Sequence, residues 1–172
     1  LQASTVCPGK YIVIITGELS AVRSSVDSAM KNYPDALTDS FVLGNPHEDI
    51  FKAIYGGANI ENVKALGVLE TFSAPSIIVA ADTAAKASEV QLIELRIARG
   101  MCGKSYMMLT GEVAAVEAAI QRAKNTVAKE GMYLDSVGAI VGSIGTQIIQ
   151  RCTCEHFKTY SFSALVHKHS LY

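Results

Sequence analysis

The stretch Gly9-Lys10-Tyr11-Ile12-Val13-Ile14-Ile15-Thr16-Gly17-Glu18-Leu19-Ser20-Ala21-Val22 returns as Gly103-Lys104-Ser105-Tyr106-Met107-Met108-Leu109-Thr110-Gly111-Glu112-Val113-Ala114-Ala115-Val116, ninety-four positions later and without a gap. The chain is an internal duplication. Every residue of one copy therefore has a counterpart in the other, and differences between counterparts mark where the copies have been put to different use. The sharpest is Cys7-Pro8, which falls opposite Met101-Cys102. The register extends to Val26 on Ile120 and Ala29 on Ala123, and after a two-residue slip Thr38-Asp39-Ser40 falls on Leu134-Asp135-Ser136. Each copy reads as a strand, a tight turn, a helix and a further strand.

Working outward, the second copy is the clearer. Residues 63–71 form a short apolar strand, closed by Ser73-Ala74-Pro75. Ser73 suits a helix N-cap, and Pro75 lacks only an N–H that would be unpaired in the first turn anyway. The helix runs to about residue 88, with Ile78, Ala81 and Ala85 on a small-residue face. Residues 90–99 alternate apolar and polar, which predicts a strand with one solvated face. A turn at Gly100-Met101-Cys102-Gly103 leads to a returning strand over 105–109. A second helix then spans 112–129, with Val116, Ile120, Ala123 and Val127 on one stripe and Gly131 ending it.

In the first copy the last strand is expected over 39–43, followed by Asn45-Pro46-His47 and a short amphipathic helix carrying Ile50, Phe51 and Ile54. Gly56-Gly57 and residues 59–62 join the copies through a linker too short for independent motion, so they are expected to pack rigidly side by side. Leu1 already aligns with Leu95, so the first copy has no counterpart of residues 63–94 and begins in mid-domain. A fragment, a processed chain or an incomplete gene model is the expectation. The organisation is 1–57 for the first copy, 58–62 for the linker, 63–141 for the second copy and 142–172 for an atypical tail. Strand, helix, hairpin, helix, strand makes an α+β fold, an antiparallel sheet with helices packed on one side.

Composition limits function. With 172 residues, 49% apolar, the chain can bury one large core or two small ones. A net charge of -1 argues against a nucleic-acid binder, which needs a cationic face. No apolar run approaches the roughly 20 residues that span a bilayer, so a membrane partner is not expected. The start carries no convincing signal peptide. The four cysteines, Cys7, Cys102, Cys152 and Cys154, form no spaced disulfide framework and point to a reducing cytoplasm.

The ordered motifs Lys64-Ala65-Leu66-Gly67-Val68-Leu69-Glu70-Thr71, Ala80-Ala81-Asp82, Lys86-Ala87 and Thr110-Gly111-Glu112-Val113-Ala114-Ala115-Val116 resemble those of the bacterial microcompartment shell domain. The likeness spans the second copy to about Val141, and residues 1–57 resemble the latter part of the same domain, with Asn45-Pro46-His47 similar to the family's Pro-His. The resemblance implies two tandem shell domains, the first incomplete at its N-terminus. It implies a non-enzymatic tile of the shell, a homotrimer that imitates a hexamer, other shell proteins as neighbours and encapsulated redox enzymes as further partners.

Within tandem members of this family, Cys7-Pro8-Gly9-Lys10 is similar to a pore turn whose cysteines hold an iron–sulfur cluster. That implies Cys7 as the metal ligand, with a 4Fe-4S cluster shared by three chains. A cubane takes about four thiolates, and three chains supply three. By the same likeness Val6, Pro8, Gly9, Lys10, Met101, Cys102, Gly103 and Lys104 line the pore, and Lys86 and His47 lie at the subunit edge. The bland readings stand beside these: Cys7 as a small apolar residue at a turn, Lys10 and Lys104 as solvated strand starts, Lys86 as an exposed helix charge. A metal-free tile that conducts small metabolites shares the fold. A thiol-redox enzyme using Cys7 finds no Cys-x-x-Cys and no evident general base. After Val141 the likeness fails, and Cys152-Thr153-Cys154-Glu155-His156 with His167 and His169 lacks the spacing of a known zinc module.

Overall fold

The computed structural model describes residues 1–60, 63–129 and 131–141. In chain order these form β1 (Gln2–Cys7), β2 (Lys10–Ile14), α1 (Leu19–Asn32), a 3-10 turn at Pro34–Ala36, α2 (Asp49–Ile54), β3 (Ala65–Thr71), α3 (Ala74–Ala87), β4 (Val90–Arg96), β5 (Ser105–Gly111), α4 (Val113–Ala128) and β6 (Tyr133–Val141). The candidate ligands in the tail, Cys152, Cys154, His156, His167 and His169, lie outside the described residues.

The second copy builds a four-stranded antiparallel sheet in the order β4-β5-β3-β6, with α3 and α4 on one face. α3 starts where Ser73 Oγ accepts the Ser76 N–H at 3.2 Å, with Pro75 in the first turn. α4 ends in a Schellman pattern: Gly131, at φ +70°, donates its N–H to the Ala128 carbonyl, and Met132 donates to that of Val127. The helices approach closely because Ala80, Ala81, Ala84, Ala119 and Ala123, all fully buried, put little between them. Leu69, Leu92, Leu95, Met107 and Leu109 fill the space beneath. Gly67 brings β3 against α4, since a Cβ there would stand 2.7 Å from Val116 Cγ1.

The opposite face is only partly solvated: Gln91 is exposed as the alternation over 90–99 predicts, and Glu94 and Arg96 are half-buried. Ile93 is 6% exposed and belongs to a second apolar cluster with Leu66, Val68, Tyr106 and Met108, against which Ile60, Val63 and Met101 pack. β4 also stops at Arg96, and a bulge between Leu92 and Glu94 reverses its phase, so that Leu92 and Leu95 both face the helices.

The first copy is built differently. β1 and β2 form a two-stranded antiparallel sheet, with Gln2 opposite Ile14. Residues 39–43, expected as a strand, are not one. In the second copy the equivalent β6 pairs with β3, and residues 1–57 hold no strand in the position of β3 to offer a ladder. That segment clamps the second copy instead. Asp39 Oδ2 accepts from Ser73 Oγ and, at 3.1 Å, from Ser76 Oγ. The Asn45 carbonyl accepts from Lys86 Nζ at 2.6 Å. Ile50 and Ala53 of α2, with Val6 of β1, join the main core, so one apolar cluster runs through both copies.

Ser73→Ala removes the cap of α3 together with one of the two hydroxyl bonds to Asp39. A loss of about 1–2 kcal/mol is expected, the upper part of the range for N-cap deletions. A lowered urea midpoint with unchanged m-value checks it.

Candidate functional site

Two turns stand together. The first is Pro8-Gly9, between the paired residues Cys7 and Lys10. Proline followed by glycine at φ +78° is the signature of a type II turn, whose third position requires a positive φ. A Cβ at Gly9 would meet nothing within 4 Å, so backbone conformation and not crowding calls for glycine there.

The second turn, residues 97–104, is aligned with the first yet wider. Ala98, Gly100, Cys102 and Gly103 all have positive φ. The gapless register sets Ser4-Thr5-Val6, which continue β1, opposite Ala98-Arg99-Gly100, which leave β4. β-branched residues favour the extended chain in the first copy, and Gly100 admits the left-handed turn in the second. Internal bonds hold the loop: the Ala98 N–H donates to Ser105 Oγ at 2.9 Å, and the Lys104 N–H to the Met101 carbonyl at 3.1 Å.

The turns touch. Lys10 Nζ donates to the Cys102 carbonyl at 3.1 Å, and the Gly100 N–H to the Val6 carbonyl at 3.5 Å. Val6 is buried in the main core, Cys7 is half-buried against it, and Pro8, Gly9, Lys10 and Cys102 are exposed. Met101 turns to the second apolar cluster. Cys7 and Cys102 are both free thiols. Among the described residues no three His, Cys, Asp or Glu side chains gather to hold a metal, so a metal at Cys7 needs ligands from outside this set.

The aligned lysines have different partners. Lys104 Nζ lies 3.5 Å from Glu70 Oε1, whose residue is 2% exposed. Lys10 has no such carboxylate, because the first copy holds no counterpart of β3, and reaches across to the neighbouring turn. Sequence reasoning missed Glu70. Its only signal was a charged residue inside an apolar strand.

Between the copies lies an open groove of about 670 Å³, lined in part by Gln2, Ser4, Tyr55, Glu94, Arg96 and Arg99. Two of its charges are paired with each other: the Arg96 guanidinium donates to Glu94 Oε1 at 2.9 Å, and the Tyr106 hydroxyl donates to Glu94 Oε2 at 3.3 Å. Burial works against the charge of Arg96, but Tyr106 and Glu94 outweigh it and hold the guanidinium above its ordinary range. Lys86 and His47 meet at Asp82, which is 6% exposed. Lys86 Nζ donates to Oδ2 at 2.7 Å, and the His47 backbone N–H to Oδ1 at 2.8 Å. Lys86 keeps part of its length in solvent.

Among the described residues no helix is long and apolar enough to cross a membrane. The family model of the BMC domain matches residues 1–46 and 65–142. The bacterial microcompartment shell protein PduT of Citrobacter freundii is 36% identical over 134 residues, 78% of this chain and 73% of that one. A solved microcompartment protein from Desulfitobacterium hafniense DCB superposes with a TM-score of 0.76 at 42% identity, covering 88% of this chain and 83% of its own. A repeated sheet-and-helix unit, two adjoining hairpin turns and matches at both copies lead to one assignment: the chain belongs to the BMC-domain family of bacterial microcompartment shell proteins.

Proposed function

We propose that three copies of this chain form a ring imitating a hexamer, a structural tile of a microcompartment shell in the cytoplasm, and that Cys7 from each copy holds one iron–sulfur cluster on the axis. The observation that carries the reading is Cys7 itself, a free, partly exposed thiol at the end of β1 beside the neighbouring turn. The donor set fits. A thiolate ligand needs partial exposure, and the open space about Gly9 leaves room for a bulky group. Three Cys7 thiolates leave one iron of a cubane to solvent or a non-cysteine ligand. Such a cluster, when bound, supplies one-electron transfer, which suits a relay of electrons, or of clusters, between the two sides of the shell. Lys10 places a cation beside the turn and Pro8 withdraws a hydrogen-bond donor from it. Other shell proteins are the lateral neighbours, through the edge that carries Lys86 and His47, and encapsulated redox enzymes are the partners inside.

Anaerobic reconstitution followed by iron analysis and EPR tests the cluster. The expected result is one cluster per three chains, lost in Cys7→Ser while the mass in solution remains that of a trimer. An unchanged signal in Cys7→Ser, or iron near zero in the wild type, overturns it and leaves a metal-free conduit.

A further inference from the structure

We infer that the groove between the two copies binds a small organic monoanion, a short-chain carboxylate, through Arg99 and the uncommitted hydrogen-bond donors around it. Nothing in this depends on the pore or on a cluster there. The groove measures about 670 Å³, within the roughly 300–1,000 Å³ of small-molecule sites, and it lies where two domains meet, a common place for them. Parts of β1, α2, β4 and the segment 58–60 wall it. Gln2 and Ser4 stand opposite Ile14 and Ile12, so they share the side of the β1–β2 hairpin that packs on the common core. The exposed side, which carries Val13, takes no part.

Charge selects an anion. Among the described lining residues Glu94 is the one acid, against Arg96 and Arg99, which leaves an excess of one positive charge. Arg96 uses Nε and Nη2 on Glu94 Oε1, at 3.1 Å and 2.9 Å, and its Nη1 has no acceptor among the described residues. Arg99 is exposed, and its whole guanidinium is without an acceptor among them. Gln2 Oε1 accepts from the Tyr55 hydroxyl at 2.5 Å, so what Gln2 still offers is its amide N–H groups. The groups left over are therefore donors. A carboxylate only accepts, and its two oxygens match the guanidinium fork. A cation would find only Glu94, which Arg96 and Tyr106 already share. The apolar part of the wall calls for a tail, since Ile14, Ile54, Ile60 and Val63 are partly exposed there. Inorganic phosphate satisfies a guanidinium but leaves that surface in water. The internal register adds that Gln2 and Arg96 are counterparts, as are Thr5 and Arg99. The cations thus belong to one copy only, the mark of counterparts put to different use.

Isothermal titration of the full chain with sodium butyrate tests the site, beside butylammonium, which reverses the charge, and inorganic phosphate, which lacks the tail. Saturable butyrate binding in the millimolar range is expected, as a ligand of this size allows, with weaker binding of phosphate and none of butylammonium. Arg99→Gln is expected to weaken butyrate by about tenfold or more at an unchanged melting temperature, because that guanidinium holds nothing else in place. Arg122→Gln, at an exposed arginine of α4, is expected to leave binding as it is. Amide chemical shifts on titration are expected to move at Gln2, Ser4, Asn59, Ile60 and Arg99. Butyrate that does not saturate, or shifts confined to other residues, overturns the inference. Equal weakening by Arg99→Gln and Arg122→Gln also overturns it, since that marks diffuse attraction to surface charge. Phosphate that binds as tightly as butyrate does so too, since the apolar wall would then contribute nothing.

Discussion

Gly67→Val is expected to cost about 3 kcal/mol or more, at the top of the range for overpacked cores, and to lower the melting temperature by about 6–12 °C. The residue lies in an inner strand of the sheet, β3, between β5 and β6, where α4 packs on it. Its backbone φ is ordinary, so the cost is steric and not conformational. The first carbon of any side chain there meets three branched side chains at 2.7 Å, 2.9 Å and 3.0 Å, and valine adds two methyl groups to the same space. Those neighbours, Val116, Leu109 and Ile120, lie in a core whose members are almost all below a tenth exposed, with no free volume to move into. Gly138→Ala is the control. A Cβ there has nothing nearer than Glu117 at 4.0 Å, and an alanine in a strand loses less chain entropy than a glycine, so its melting temperature should hold or rise slightly. Thermal unfolding followed by circular dichroism compares the two, and a Gly67→Val protein that melts with the wild type would show that α4 does not bear on β3 as described.

Lys104→Met is the second large effect expected, about 2–3 kcal/mol. Glu70 is 2% exposed, neither of its carboxylate oxygens accepts a hydrogen bond from a described residue, and Lys104 Nζ at 3.5 Å is the compensating charge. Removing one member of a buried pair strands the other in a medium of low polarity. The full cost of that is about 3–5 kcal/mol, and the 32% exposure of the Lys104 side chain reduces it. Glu70→Gln in the Lys104→Met background should recover most of the loss, because a neutral amide carries no stranded charge. Lys10→Met, at the aligned position, removes only an exposed bond to the Cys102 carbonyl and should change stability by less than about 1 kcal/mol. Equal effects at the two lysines would contradict the asymmetry between the copies.

Much of the second copy was legible because its signals are local. Ser73 with Pro75 marked the start of α3, Gly131 the end of α4, and the stripe Val116, Ile120, Ala123 and Val127 is the stripe that is buried. The alternation over 90–99 misled for a reason equally local. A bulge between Leu92 and Glu94 changes the phase without changing composition, and Arg96 ends the strand where Ala98 and Gly100 take positive φ. The Pro8-Gly9 turn was legible as a glycine turn beside a cysteine. That it lies against the second turn, with Lys10 on Cys102, was not, since those residues are ninety-two positions apart.

By itself the sequence determined the duplication, the order of elements and the family resemblance, all of which rest on short-range periodicity, capping and turn chemistry repeated in register. The tertiary structure decided what became of equal sequences in unequal surroundings. Residues 39–43 and β6 share the Asp-Ser motif, yet only β6 is a strand, because only β6 has β3 beside it. Lys10 and Lys104 share a motif, yet only Lys104 meets a buried carboxylate. α1 and α4 share their apolar stripe, yet only α4 is covered. A strand exists by virtue of its ladder and a buried face by virtue of what lies on it, so counterparts with the same local code diverge wherever the partner contributed by a distant part of the chain differs.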